Sequence, residues 1–201
     1  MAFLRTSLLQ EIWPVVRGER VTLRVPQTHD YSDWAELRAV SREHLRPWEP
    51  EWSRDELTRA AYRRRLRFYH KDIREEVGYS FFIFRTHDSC LLGGLTLSNI
   101  RRGVTQAASI GYWIGQPHVG QGYMTEAVQQ ASRFVFDGLS LHRIEAACLQ
   151  HNYASMAVLE RNGFQKEGLA RKYLKIDGLW QDHILFALLR EDMYREAFRQ
   201  R

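Results

Sequence analysis

Residues Ile110 to Val128 read IGYWIGQPHVGQGYMTEAV. An apolar, strand-like run passes through glycines 115, 120 and 122 into the start of an amphipathic helix. A helix entered this way offers unpaired backbone N–H groups, and glycine lets a ligand approach them closely. The residues around the glycines limit what that ligand can be. A P-loop needs Gly, four residues, then Gly-Lys-Ser/Thr. Gly115 and Gly120 have that spacing, but Gln121 and Gly122 follow, so the lysine and the magnesium-binding hydroxyl are missing. A dinucleotide fingerprint needs a third glycine where Thr125 stands. What remains is a turn suited to a pyrophosphate held without lysine or metal. A plain helix-entry turn has the same appearance, and the turn alone does not separate the two.

The flanking sequence places this turn in a mixed fold. Upstream, ERVTLRVP alternates as a half-buried strand does, with Val21, Leu23 and Val25 on one face. THDYSDWAELRAVSREHL reads as a helix with Trp34, Leu37 and Val40 on one side. Ser53 and Glu56 have capping-box spacing, predicting a helix from there with Leu57, Ala61, Leu66, Tyr69 and Ile73 inward. YSFFIFR and LLGGLTLSNI read as a hairpin, and ASIGYWIG as a third strand beside them. Downstream of the turn come a helix with Ala127, Ala131 and Val135 on one face, the strand HRIEAACL, the helix NYASMAVLERNGF, and two strands about Gly178. The polar EDMYREAFRQR closes the chain as a short helix or tail. This order predicts one α/β (α+β) domain over residues 1–201, its core about 18–190, with a mostly antiparallel sheet of about seven strands.

Composition narrows the partners. A formal charge of +5 favours anionic ones, such as a multiply phosphorylated cofactor or RNA. Cys90 and Cys148 are far apart and read as free thiols of a reducing compartment. The eight histidines show no metal-ligating spacing, so no metal is expected. MAFLRTSLLQEIWP has no apolar run of signal-peptide length, and no transmembrane stretch occurs, so a cytoplasmic location is expected.

A second motif follows the turn. In HNYASMAVLERNGFQKEG, Asn152 and Ser155 share one face at a helix start. Asn152 there is also a common helix cap, and Ser155 is also a small packing residue. Together the two motifs resemble those of the GNAT acetyltransferase superfamily. Its Q/R-x-x-G-x-G/A turn is matched by VGQGYM, with Val119 for Gln/Arg and Met124 for Gly/Ala. Its N-x-x-S…L-E-K/R-x-G-F helix is matched by Asn152, Ser155, Leu159, Glu160, Arg161, Gly163 and Phe164. HLRPWEP and YLKIDGLWQDHILFALL extend the resemblance to the branch that acetylates ribosomal-protein N-termini, in its alanine-directed form.

The resemblance implies acetyl-CoA as cosubstrate, lying between two splayed strands. Its pyrophosphate would meet Val119, Gly120, Gln121, Gly122, Tyr123, Met124 and Thr125. Tyr112, Trp113 and Ile114 would pair with the pantetheine amides, and Asn152 would bond the cofactor arm. Ser155 would lie at the thioester sulfur. Leu159 stands where many N-terminal acetyltransferases carry a tyrosine, which excludes a tyrosine acid at that position.

The general base has no clear candidate in the sequence. Glu49 and Glu51 in RPWEPEW could take a proton through water or bind the incoming ammonium, or be solvated loop carboxylates. Trp48 and Trp52 would wall the acceptor entrance or staple the loop. Glu126 resembles a family position and also suits the helix dipole. Arg63, Arg64, Arg65, Arg67 and Lys71 form a cationic cluster that reads either as a solvated helix face or as a dock for ribosomal RNA. The acceptor is a ribosomal-protein N-terminus or a small amine, and a non-catalytic ribosome- or RNA-binding module is the remaining alternative.

Overall fold

The computed structural model describes residues 13–194. The strands are β1 (Val15–Arg17), β2 (Val21–Arg24), β3 (Tyr79–Arg85), β4 (Leu91–Arg101), β5 (Ala107–Ile114), β6 (Arg143–Leu149), β7 (Gln165–Ile176) and β8 (Leu179–Leu189). They form one sheet in the order β1-β2-β3-β4-β5-β6-β8-β7. Every neighbouring pair is antiparallel except β5 and β6, which are parallel. The connection between those two carries helix α4 (Tyr123–Arg133) and a π-helical turn at Phe134–Gly138.

Helices cover both faces. YSFFIFR, the apolar run of β3, is buried throughout its first six residues because it serves two cores at once. Alternation sends Tyr79, Phe81 and Ile83 to the core beneath α4 and α5 (Tyr153–Arg161). Phe82 and Phe84 enter a second core with Trp34 and Leu37 of α1 (Tyr31–Val40) and Tyr62 and Leu66 of α3 (Arg59–Arg74). Short α2 (Arg42–Leu45) and α6 (Arg190–Met193) complete the set. The expected C-terminal tail past Tyr194, and the N-terminal residues that bear on a leader, lie outside the described residues. Among the described residues no helix is long and apolar enough to cross a membrane.

Three expectations are corrected. The sheet has eight strands, because Val15–Arg17 pairs with β2. At three residues it is too short for alternation to show, and tertiary pairing supplies it. On α1, Val40 is 56% exposed, whereas Arg38 is buried. The packed positions are 34, 37, 38 and 41, the spacing of a helix stripe. Arg38 can occupy it because Glu49 neutralises its charge.

Helix α3 starts at Arg59, with Thr58 Oγ1 accepting from Ala61 N at 3.2 Å, rather than at the Ser53–Glu56 box. Ser53 donates to Asp55 instead (2.9 Å). Asp55 and Glu56 are drawn over the helix by ion pairs with Arg64 and Arg65. Leu57 therefore precedes the helix.

Candidate active site

The site begins where the parallel pair parts. β5 and β6 are in register only from Ala107↔Arg143 to Ser109↔Glu145. Beyond that point β5 stays paired with β4 as far as Ile114, and β6 with β8 as far as Leu149. Two strand edges thus face each other without a ladder. Strand edges need partners for their backbone N–H and C=O groups, and an extended, amide-bearing chain has the groups to pair with such edges.

At the end of β5 the glycine turn takes the shape its sequence suggests. Gly120 and Gly122 have φ of +73° and +79°, the left-handed region that glycine occupies without a Cβ penalty. Gly122 is the N-cap of α4, with no side-chain cap. The first N–H bonded back to this end is that of Glu126, to Gly122 O at 3.2 Å. The first-turn donors ahead of it are those that every helix start leaves open. Tyr123 and Met124 are buried and anchor the turn, while Val119 is exposed. Arg20 Nη2 donates to Gln121 O at 3.0 Å. Beside the turn a groove of about 740 Å³ carries Arg17, Arg20, Arg133 and Arg161 with Thr125 on its wall.

Glu126 is structural in this fold, since its Oε1 accepts from the backbone N–H groups of Arg20 at 2.8 Å and Val21 at 3.3 Å and ties the start of β2 to α4. Asn162 donates to Thr125 O at 3.1 Å, fixing the end of α5 against the turn. These two ties brace the turn from both sides.

The Asn152/Ser155 helix lies on the α4 side of the opening. Asn152 Oδ1 accepts from Ser155 N at 3.1 Å, so it does cap α5. Asn152 also lines a cavity of about 200 Å³, with Tyr112, Cys148 and Ser155. The Tyr112 hydroxyl lies 3.0 Å from Ser155 Oγ. A phenol from β5 therefore reaches the serine, although position 159 carries a leucine. Burial pushes the Tyr112 phenol well above its usual range, so it remains a hydrogen-bonding O–H. Burial likewise pushes the Cys148 thiol up to about 11.

On the opposite face is a pocket of about 440 Å³, with Trp34, Trp52, Tyr69 and Trp113 among its walls. Gly111 and Tyr112 border both this pocket and the smaller cavity. Arg38 donates to Glu49 through both terminal nitrogens, at 2.6 and 2.7 Å. Its guanidinium also lies over the Trp52 ring, 4.2 Å from the centroid. Trp52 Nε1 donates to the same carboxylate at 2.8 Å.

Glu49 is therefore not a solvated loop carboxylate: both oxygens are engaged, and a free-base role for it finds no support. Glu56 is paired with Arg65, which leaves Glu51 as the pocket carboxylate outside any ion pair among the described residues. Trp48 and Trp52 do not wall one entrance. Trp52 lines the large pocket, whereas Trp48 lines the smaller cavity and packs on His151 at 5.3 Å.

The cationic cluster of α3 is divided. Arg64 and Arg65 are ion-paired with Asp55 and Glu56, and Lys71 faces Glu75 at 3.8 Å. Arg63 and Arg67 are exposed. Among the described residues no three His, Cys, Asp or Glu side chains converge as a metal site would.

The sequence reading missed Arg38, whose i+4 spacing from Trp34 was the available signal. It also missed Arg20, Asn162 and His183. His183 is 2% exposed and lies on the wall of the smaller cavity. Its only signal was its place in WQDH.

A splayed parallel pair, a left-handed glycine turn and a serine-bearing helix beyond it match the arrangement that the resemblance to acetyltransferases implies. The acetyltransferase (GNAT) domain family matches residues 20–165, and the chain belongs to that family as an N-acetyltransferase. It is 36% identical over 178 residues to the probable N-acetyltransferase YjcK of Bacillus subtilis (strain 168), covering 89% of this chain and 98% of that one. It is also 36% identical over 181 residues to the [ribosomal protein uS5]-alanine N-acetyltransferase of Escherichia coli (strain K12), covering 89% and 93%. The structure of Mycobacterium smegmatis RimJ in complex with CoA-disulfide superposes with a TM-score of 0.83 at 31% identity, covering 90% of this chain and 88% of that one.

Proposed function

We propose that the chain transfers acetyl from acetyl-CoA to the N-terminal α-amino group, alanine in the first instance, of a ribosomal protein, by direct attack in a ternary complex. The observation that carries this reading is the parting of β5 from β6 at Ser109/Glu145. It opens the sheet between the Tyr112–Ser155 pair on one face and the Trp-walled pocket on the other. The E. coli relative bears the name of an alanine N-acetyltransferase of uS5, which supports the choice of acceptor.

The residues fit acetyl-CoA, which when bound supplies an activated acetyl group and a thiol leaving group. The open donors from Gly120 to Thr125 would take the pyrophosphate, and Arg20 beside them favours its charge. The β5 backbone at Tyr112, Trp113 and Ile114 would take the pantetheine amides, with the Asn152 amide on the arm. An N–H near Ile114 would face the developing oxyanion. Ser155, held by Tyr112, would donate to the sulfur as it leaves.

The acceptor enters from the large pocket, where Glu51 attracts the ammonium and Glu49, fixed by Arg38, shapes the wall with Trp52. Positioning supplies much of the rate, because an α-amino group titrates near ~7.7–8.0 and is partly neutral at physiological pH. Exposed Arg63 and Arg67 are available for ribosome docking, a role that Arg64, Arg65 and Lys71 share less as ion-paired residues.

The test combines calorimetry with acetyl-CoA and mass spectrometry of ribosomal proteins incubated with enzyme and acetyl-CoA. One acetyl group on a single N-terminus is expected. Untouched ribosomal proteins beside acetylated polyamines or amino acids would move the acceptor to a small amine, for which the pocket volume of about 440 Å³ is also sufficient.

A further inference from the structure

His183 sits at the cavity where the two faces of the opened sheet meet, yet on the face opposite Ser155. In β8, Ile184 and Phe186 belong to the core beneath α4 and α5, together with Cys148 of β6. His183 pairs in register with Leu149, while Cys148 pairs with Ile184. Alternation therefore turns His183 away from α5 and toward the face that carries Trp113 and the acceptor pocket. It lines the cavity with Gly111, Tyr112 and Ser155.

The hydrogen bonding of the ring fixes its tautomer. Nδ1 lies 3.0 Å from the carbonyl oxygen of Gln181, an acceptor only, so Nδ1 carries the proton. Neutral imidazole then has its lone pair on Nε2.

The neighbours hold this arrangement. Between Ala170↔His183 and Leu174↔Gln181, residues 171–173 of β7 bulge against Asp182 alone. Asp182 Oδ1 accepts from Lys172 N at 2.8 Å, pinning a residue with φ of +46°. The pinned bulge sets Tyr173 edge-on to His183, with centroids 5.9 Å apart. Gln181, Asp182 and His183 thus act as one unit: a carbonyl that sets the tautomer, a carboxylate that shapes the cover, and the imidazole.

Other candidates for a base fall away. Among the described residues, the titratable groups facing the cavity are Tyr112, Cys148 and His183, with Tyr173 over the ring, and no carboxylate lines it. Tyr112 and Cys148 keep their protons at neutral pH because burial raises both. Glu49 and Glu51 lie in the other pocket, Glu49 with both oxygens engaged and Glu51 assigned above to attracting the ammonium at the entrance.

We propose that His183 is the catalytic base, its Nε2 accepting the proton that the attacking amine must lose. This rests on the acetyl transfer argued above but holds for any amine acceptor. The incoming ammonium gives one proton to Nε2, directly or through one water. The amine nitrogen bonds to the thioester carbonyl carbon, the C–S bond breaks with its electron pair on sulfur, and the second nitrogen proton reaches sulfur from the Ser155 side. Released CoA thiol and the N-acetyl product balance the step, and His183 returns its proton to solvent.

The test is His183→Asn, because an asparagine amide can replace Nδ1–H as donor to Gln181 O while removing the lone pair. Acetyl-CoA affinity by calorimetry is expected to stay within about twofold, and kcat to fall about 10²-fold, the scale of general base catalysis. The deficit should shrink as pH rises past ~8, where an α-amino group is already neutral. Alanine-starting peptide and spermidine serve as parallel acceptors. A wild-type enzyme that acetylates only spermidine refutes the ribosomal acceptor, and the His183 comparison then runs on spermidine. A variant that keeps wild-type kcat at every pH overturns the proposal. So does ¹⁵N NMR of the wild-type chain showing the proton on Nε2 and a bare Nδ1, a readout that needs neither acceptor nor variant.

Discussion

The backbone N–H of Asp177 donates to the carbonyl of Glu49 across 2.9 Å. The Arg46 side chain adds an ion pair to Asp177 at 3.3 Å. The loop RPWEPEW and the turn IDG, separated by most of the chain, are thus a single wall. The loop presents Glu49, Glu51 and Trp52 to the acceptor pocket, and the turn joins the two strands that carry Tyr173 and His183. Loosening either side should disturb both.

Glu49→Gln is expected to lower stability by roughly 3 kcal/mol, the lower end of the range for an orphaned buried charge. The side chains of Arg38 and Glu49 are 8% and 19% exposed, so Arg38 would keep its charge in a largely dry site. For a domain of this size the melting temperature should fall by about 6–12 °C. Hydrogen exchange should also quicken in both the RPWEPEW loop and the IDG turn. A melting point within 2 °C of wild type, a shift of under ~1 kcal/mol, would show that the pair contributes little.

Gly122→Val should separate affinity from folding. Its φ of +79° costs an L-residue about 1–2 kcal/mol. An added Cβ meets only Arg20 Nη1, at 3.7 Å, so the chain has room to fold. Acetyl-CoA affinity should drop at least tenfold, ~1.4 kcal/mol, by calorimetry. A folded variant with wild-type affinity would remove the turn from the cofactor site.

Ser155→Ala should lower kcat about tenfold, ~1.4 kcal/mol of transition-state stabilisation, while leaving acetyl-CoA affinity nearly unchanged. Tyr112→Phe should have a smaller effect of the same kind, since its hydroxyl acts through Ser155 across 3.0 Å. The two losses should not add in the double variant, because they belong to one hydrogen-bonded pair. Fully additive losses would mean that the hydroxyls act independently.

The Cys148 thiol, held up to about 11 by burial, gives a pH prediction. An unfolded thiol releases its proton near ~8.5, so the folded state binds more protons above that pH. Its contribution is complete below that value and is lost as pH rises through about 11. Thermal stability should therefore fall across this window, and less steeply in Cys148→Ala. Alkylation of Cys148 by iodoacetamide should stay slow at pH 8 and slow further with acetyl-CoA. Rapid alkylation of the folded chain at pH 8 would contradict the shielding.

Much of this was legible because it is local. The run YSFFIFR announced a strand of a hairpin, and the glycines of VGQGYM announced a helix entry whose backbone a ligand can approach closely. The spacing of Asn152 and Ser155 placed both at one helix start. What escaped depends on distant partners. Arg38 reads as a surface residue until Glu49, eleven positions on, is folded back against it. The helix starts after Thr58 rather than at the Ser53–Glu56 box because the pull of Arg64 and Arg65 on Asp55 and Glu56 is tertiary. Val15–Arg17 becomes a strand only when β2 is beside it. His183 had a motif but no visible role, since its meaning lies in a carbonyl, a bulge and a cavity drawn from separate elements.

The gap between β5 and β6 has a further consequence for turnover. On the proposed reading, a slot that grips its occupant by main-chain pairing and a glycine turn engages parts common to acetyl-CoA and spent CoA. It therefore discriminates poorly between fuel and ash. Occupancy by the productive form would follow the ratio of acetylated to free coenzyme in the surroundings, and the enzyme's output would report that ratio as much as the supply of acceptor.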